Sequence, residues 1–396
     1  MSASAKLPPF DPADPLGIDD LLSDEDLAIR DTVRSWAADR VLPHIAEWYE
    51  SGELPGIRDL ARELGAIGAL GMSLTGYGCA GATAVQYGLA CMELEAADSG
   101  IRSLVSVQGS LAMYAIWKYG SEEQKQRWLP SMAAGETIGC FGLTEPDHGS
   151  DPAGMRTYAK RDGTDWVLSG RKMWITNGSV AGVAVVWAQT DDGIRGFAVP
   201  TDAPGFSAPE IKHKWSLRAS VTSELVMDEV RLPADAVLPG VTGLKGPLSC
   251  LSHARYGIVW GAMGAARASF EAAVAYARTR EQFGRPIGGF QLTQAKLADM
   301  AVELHKGVLL AHHLGRRMDA GRLRPEQVSF GKLNNVREAI EICRTSRTIL
   351  GANGISLEYP VMRHATNLES VLTYEGTVEM HQLVLGKALT GLDAFR

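Results

Sequence analysis

The periodicity of this chain changes twice, and that change limits the fold more than any single motif. From about residue 23 to 140 apolar positions recur at helical spacing. From about 141 to 240 they come in short runs rich in Val, Ile, Trp and Phe. After about 246 helical spacing returns over long stretches. The pattern predicts an α+β protein: an N-terminal helical domain (1–140), a middle β domain (141–245) and a C-terminal helical domain (246–396).

Local signals support each part. Ser23 and Asp26 form a capping box, followed by Ile29, Val33 and Trp36 on one helical face up to Pro43. Helices are predicted over 58–71, 83–100 and 121–135, the last opening on Ser121 and acidic residues. In the middle, WVLSGRKMWITNG, VAVVWAQT and IRGFAVP read as strands, with Asp162-Gly163 and Asp192-Gly193 at hairpin turns. Long helices are predicted over 255–280, 291–321 and 325–351, with Pro325 in a first turn and Gly351 at an end. Small residues in GAMGAA (261–266) predict close helix packing rather than a dinucleotide site.

Bulk properties exclude several classes. A chain of 396 residues needs two or three cores. With 45% hydrophobic and 21% charged residues it has the composition of a soluble globular protein. A formal charge of −7 with interspersed signs argues against nucleic acid as the partner. The cysteines, at 79, 91, 140, 250 and 343, lie at least twelve positions apart, so there is no CxxC knuckle and no metal site is expected. Scattered thiols suggest a reducing compartment. The stretch MSASAKLPPFDPADP has neither an apolar core nor an Arg-rich amphipathic pattern, which predicts a cytoplasmic protein. No apolar run reaches about 18 residues, so no membrane span is expected.

Five segments carry chemistry, each with a plainer reading. GCFGLTEPDHGSD (139–151) is a Gly-rich loop able to offer N–H and hydroxyl donors to a phosphate or flat heterocycle, or a simple linker. In RKMWITNG (171–178), Trp174 and Thr176 share one strand face and Ile175 takes the other, a floor for a flat ring or a core tryptophan. Arg102 stands in an apolar stretch, where a guanidinium needs an anion: a ligand, or Glu95 seven residues upstream. Arg278, Arg280 and Arg285 either hold a pyrophosphate or complement a helix end. Glu375, in LTYEGTVEMHQL (372–383), is either a helix-start acid or a base held against its target.

Together, and in this order, the segments resemble the acyl-CoA dehydrogenase family over nearly the whole chain. The residues carrying this are CFGLTEPDHGSD (140–151), KMWITNG (172–178), ARYGIVWG (254–261), TREQFGRPI (279–287), LGANGIS (350–356) and TYEGTVEMHQLVLGKALTG (373–391). Within the family, ELEAADSGIRSLVSVQGSL (93–111), SLRAS (216–220) and CLSHARYGI (250–258) are most similar to the glutaryl-CoA dehydrogenase branch. Ala352, where the family commonly has glycine, and VEM (378–380), in place of His-Asp-Ile, depart from that pattern.

The resemblance implies an N-terminal helical domain, a middle β domain and a C-terminal four-helix bundle, assembled as a homotetramer. It implies FAD, an acyl-CoA thioester and electron-transfer flavoprotein as partner. FAD would be lined by Phe141, Leu143, Thr144, Ser150, Trp174, Ile175 and Thr176, and contacted further by Arg280, Gln291, Gly351, Thr377 and Glu379, some from a neighbouring subunit. Ser150 and the stretch Leu248 to Arg255 would follow the thioester and pantetheine. The branch implies lysine and tryptophan degradation.

The chemistry needs a base at the α-proton, donors at the thioester oxygen and a sink for the β-hydride. Glu375 is the expected base, made more basic by an apolar pocket, with Tyr374 shaping the acyl site and Gly376 giving the backbone access. Some relatives carry the base beside the arginine of the motif matched by ARYG; here that position is Ala254. Arg102, with Ser103 and oriented by Glu95, is expected to bind the distal carboxylate of glutaryl-CoA. The expected product is crotonyl-CoA after loss of CO₂. Open alternatives are another short-chain acyl-CoA, oxidation without decarboxylation, and a silent acyl-CoA-binding protein on the same fold.

Overall fold

The computed structural model describes residues 10–394; the start of the Pro-rich N-terminal stretch, residues 1–9, and residues 395–396 lie outside the described residues. The N-terminal part comprises α1 (Asp24–Arg40), α2 (Ile45–Ser51), α3 (Ile57–Ala66), a short hairpin β1 (Thr75–Gly76) and β2 (Cys79–Ala80), α4 (Ala84–Ala97), α5 (Ser99–Ser106), α6 (Tyr114–Tyr119) and α7 (Glu122–Ala133). Ser23 Oγ accepts from the Asp26 N–H at 3.2 Å and Asp26 returns the bond to the Ser23 N–H at 3.0 Å, the predicted capping box. The helix predicted over 83–100 is two helices. Asp98 turns extended, φ −166°, and its carboxylate accepts from the Gly100 N–H at 2.7 Å, capping α5. A short side chain that can cap a new helix competes with continuing the old one. Between α5 and α6 the chain widens into a π-helical segment, Val107–Met113.

The middle part is a seven-stranded sheet of β3 (Gly139–Gly142), β4 (Tyr158–Asp162), β5 (Asp165–Thr176), β6 (Val183–Thr190), β7 (Gly193–Pro200), β8 (Phe206–Ser207) and β9 (Thr222–Leu232). Its order is β3-β6-β4-β5-β9-β8, with β7 also on β6. β3 and β4 run parallel to β6, and the remaining pairs are antiparallel. Both hairpin turns differ slightly from expectation. Asp162 pairs with Asp165 and Thr190 with Gly193, so the turn residues are Gly163-Thr164 and Asp191-Asp192. Alternation along β3 and β6 splits the packing. Phe141, Val183, Val185 and Trp187 face the N-terminal helices, while Cys140, Ala184, Val186 and Ala188 join the core on the other face.

The C-terminal part holds α8 (Lys245–Thr279), the hairpin β10 (Glu281–Gln282) and β11 (Arg285–Pro286), α9 (Gln291–Asp319), α10 (Pro325–Leu350), α11 (Pro360–Thr373) and α12 (Val378–Thr390). α8 begins ten residues before the predicted 255, since Pro247 falls in its first turn, where proline is tolerated. It packs between α4 and α10 at very short range. A Cβ on Gly264 would sit 1.9 Å from the Met92 carbonyl oxygen, and one on Gly261 would sit 2.0 Å from Glu95 Oε2. The small residues of GAMGAA therefore serve close helix approach. No described helix is long and apolar enough to cross a membrane.

Candidate active site

Glu375 is not at a helix start. α11 stops at Thr373, and α12 begins at Val378 with Thr377 as its cap, Thr377 Oγ accepting from the Met380 N–H at 3.3 Å. Glu375 lies in the turn between them with φ 53°, followed by Gly376 with φ 100°. A non-glycine residue in the left-handed region costs about 1–2 kcal/mol and persists only where its surroundings hold it. Here three successive carbonyls are gripped. Lys332 Nζ donates to Tyr374 O at 2.5 Å and to Gly376 O at 2.6 Å. Arg255 Nε donates to Glu375 O at 2.6 Å. Beneath the turn, a Cβ on Gly376 would lie 2.9 Å from His381 Nε2.

The carboxyl of Glu375 is set apart from its neighbours. Oε2 is buried with no hydrogen-bond partner, and the Glu375 N–H meets no acceptor among the described residues. Burial pushes this carboxyl above its ordinary range, against the pull of Arg102, Lys332 and Arg255. The adjacent Tyr374 leads directly to Arg102. Arg102 is 1% exposed and Glu95 0%, and Arg102 Nε donates to Glu95 Oε2 at 2.7 Å. The other Glu95 oxygen accepts from Ser99 Oγ at 2.8 Å. A second guanidinium nitrogen donates to the Tyr374 hydroxyl, and the guanidinium carbon sits 5.8 Å from the Tyr374 ring centroid. Burial pushes the Tyr374 phenol up to about 12, so it stays protonated. Ser103 Oγ is buried nearby without a hydrogen bond. Ala254, fully buried on α8, leaves no carboxylate at that position.

A second group of predicted residues gathers where β3 leaves the sheet. The Met173 N–H donates to Thr144 O at 2.8 Å, bringing the loop after β3 against the end of β5. Lys172 Nζ locks this contact, donating to Leu143 O at 3.1 Å and to Glu145 Oε1 at 2.8 Å. Trp174 stands 58% exposed with φ 63°, inside a break in the β5–β9 register. Ile175 takes the opposite face, as expected, but its side chain is buried in the sheet core. Phe141 and Leu143 are likewise core side chains, leaving backbone for any ligand. Ser150 and Leu248 are exposed.

Arg280, Gln291, Gly351 and Glu379 are exposed at the ends of α8, α9, α10 and α12. No hydrogen bond or ion pair among the described residues joins Arg280, Gln291 or Gly351 to the β3 loop or to Trp174. Sequence reasoning missed Lys332. Its only local signal is position: a lysine four residues from Val328 and from Val336, on the buried stripe of α10.

This fold and site define an acyl-CoA dehydrogenase. Three family models, the N-terminal, middle and C-terminal domains of acyl-CoA dehydrogenase, match residues 23–136, 140–230 and 242–390. The bovine (Bos taurus) mitochondrial short-chain specific acyl-CoA dehydrogenase is 35% identical over 368 residues, covering 90% of this chain and 88% of its own. The chain therefore belongs to the acyl-CoA dehydrogenase family, FAD-dependent oxidoreductases acting on a CH–CH bond. Among solved structures it is similar to a glutaryl-CoA dehydrogenase from Mycobacterium smegmatis, with 72% identity, TM-score 0.96, and coverage of 97% of this chain and 99% of the other. A second glutaryl-CoA dehydrogenase from that organism, in complex with FADH2, is 65% identical with TM-score 0.95, covering 96% of this chain and 98% of the other.

The residues near β3 fit FAD. The Thr144 and Thr176 hydroxyls are half-buried with no partner among the described residues, beside the exposed face of Trp174. Two free donors next to an aromatic plane suit a polar-edged heterocycle.

Proposed function

We propose that this protein converts glutaryl-CoA to crotonyl-CoA and CO₂. The observation that carries the reading is the continuity of Glu95, Arg102 and Tyr374 with Glu375. One end of the cluster offers a buried, forked cation suited to a carboxylate. The adjacent residue offers a carboxyl with an unpaired oxygen. A dicarboxylic thioester needs both.

Glu375 takes the α-proton, and its elevated affinity for protons suits that task. The unpaired Glu375 N–H is a donor for the thioester oxygen as negative charge develops there. Bound FAD supplies what side chains cannot, accepting the β-hydride and releasing two electrons to electron-transfer flavoprotein. Arg102, held by Glu95 and Tyr374 and assisted by Ser103, binds the distal carboxylate and keeps the chain extended. After α,β-oxidation the γ-carboxylate is vinylogously activated. Its carbon–carbon bond breaks, CO₂ leaves, and the electron pair delocalises into a dienolate. The proton on Glu375 then returns to that dienolate, giving crotonyl-CoA and regenerating the base.

In this reading Phe141, Leu143, Thr144, Ser150, Trp174, Ile175 and Thr176 line the flavin. Arg280, Gln291, Gly351, Thr377 and Glu379 complete its site, in part across a homotetramer, which accounts for several being exposed in one chain. Ser150, Leu248 and Arg255 follow the thioester. The segments 1–140, 141–245 and 246–396 act as three domains, and the protein works in the cytoplasm. The test is anaerobic titration of the flavoprotein with glutaryl-CoA, following flavin bleaching and CO₂ together. Bleaching with stoichiometric CO₂ is expected. Bleaching without CO₂ would assign a non-decarboxylating dehydrogenase, and equal turnover of butyryl-CoA would assign a neutral substrate.

A further inference from the structure

Two lysines among the described residues lie fully buried, and they differ in one respect. Lys172 is paired with Glu145 at 2.8 Å. Lys332, 2% exposed, makes no ion pair among the described residues and donates to the carbonyls of Tyr374 and Gly376. An ammonium kept from water without a carboxylate is costly, and a neutral donor would satisfy two carbonyls as well. Its placement therefore calls for a reason beyond hydrogen bonding.

Geometry supplies one. Lys332 grips the carbonyls on either side of Glu375, while Arg255 holds the Glu375 carbonyl itself. The intervening residue has no freedom to leave its left-handed conformation without breaking these bonds. We propose that Lys332 is a positioning residue: its ammonium fixes the Tyr374–Gly376 turn and sets both the direction and the basicity of the Glu375 carboxylate. This deepens the reading of Glu375 as base and rests on it.

The charged and titratable groups facing Lys332 come from four other parts of the fold: Arg102 on α5, Arg255 on α8, Tyr374 and Glu375 in the turn and His381 on α12. His381 is pushed down to about 3 by burial and by the charges of Lys332 and Arg255, so it is neutral at working pH. Burial pushes the Lys332 ammonium down to about 7, with Glu375 opposing. Lys332 in turn is one of the cations pulling Glu375 toward its charged form. Removing that charge raises the affinity of Glu375 for its proton. The rate then falls on the acid side at a higher pH than in the parent protein.

The test uses the FAD-loaded protein and three variants. Lys332→Met is expected to bind FAD, to lower the rate of flavin reduction by glutaryl-CoA by roughly 10²-fold through misplacement of the base, and to change KM much less than kcat. Lys332→Gln keeps donors without charge. It should lose less rate, yet move the acid limb of the kcat/KM profile upward by about one pH unit. Lys332→Arg should leave the limb in place. A wild-type rate and an unmoved acid limb in both Met and Gln variants would overturn the proposal. So would failure of both to hold FAD, since that would assign the lysine to folding alone. Glu375→Gln in parallel separates the two readings. If it still bleaches flavin, the base assignment fails; if it is inactive while the Lys332 variants behave as wild type, only the role of Lys332 fails.

Discussion

The Arg102 guanidinium and the Glu95 carboxylate meet at 2.7 Å, both shut off from solvent and seven residues apart on separate helices. Such a pair is poor evidence for stability, because desolvation offsets most of its attraction. It is a good device for holding a charged group ready in an apolar pocket.

Arg102→Met is therefore expected to act on selectivity and stability at once. The kcat/KM for glutaryl-CoA should fall by about 10²-fold or more, with butyryl-CoA affected far less, because only the dicarboxylic substrate loses its counter-ion. Glu95, left buried and unpaired, should lower stability by about 3–5 kcal/mol. Adding Glu95→Gln should recover part of the stability and none of the selectivity. Chemical denaturation and the ratio of the two turnover rates measure these effects. An unchanged ratio would remove Arg102 from substrate recognition.

Glu375→Gln keeps the size of the side chain and removes the carboxylate proposed as the base. Flavin content and thioester binding should be retained. Flavin bleaching by glutaryl-CoA should slow by at least about 10³-fold, roughly 4 kcal/mol of barrier. Stopped-flow absorbance under anaerobic conditions reads this directly, and a near-normal rate would place the base elsewhere.

Gly376→Ala meets two obstacles. The residue has φ 100°, and the new Cβ would lie 2.9 Å from His381 Nε2. The substitution should cost about 1–3 kcal/mol and displace the turn. Combining it with His381→Ala removes the steric contact and leaves the backbone strain, so only partial recovery is expected. Full recovery in the double variant would show that contact, not backbone conformation, makes glycine necessary.

Glu145 gives the protein an acid-labile link in the loop after β3. Burial alone would raise its carboxyl. The N–H groups of Arg156 and Thr157, at 2.6 and 2.9 Å, and Lys172 at 2.8 Å instead hold it down to about 2. A lowered carboxylate contributes its stabilisation above the ordinary value of 4.5, and that contribution is lost as pH falls from about 4.5 toward 2. The melting temperature of Glu145→Gln should thus lie below wild type at neutral pH, with the gap closing across that window. A gap independent of pH would show that Glu145 acts by shape rather than charge.

What was legible in the sequence is what short-range physics controls. The capping box at Ser23, the helix opening on Ser121 and acidic residues, Pro325 at a first turn and Gly351 at a helix end each depend on residues within one turn, and each appears where the sequence places it. The order of helical, sheet and helical segments follows from periodicity for the same reason. Asp98 shows the limit even locally. Its competing cap splits a helix that periodicity alone would continue.

By itself, the sequence also singled out Arg102, Glu95, Tyr374 and Glu375 by type and context, and these residues are found in one connected cluster. Only the tertiary structure decided how that cluster is held. The carbonyl grip of Lys332 reaches 42 and 44 residues along the chain, and that of Arg255 reaches 120. A backbone carbonyl leaves no trace in residue identity, so a side chain that acts on carbonyls cannot be paired with its target until the helices are packed. The left-handed turn at Glu375 follows the same rule. No local preference puts a glutamate there, and the cations that keep it there arrive from two distant helices.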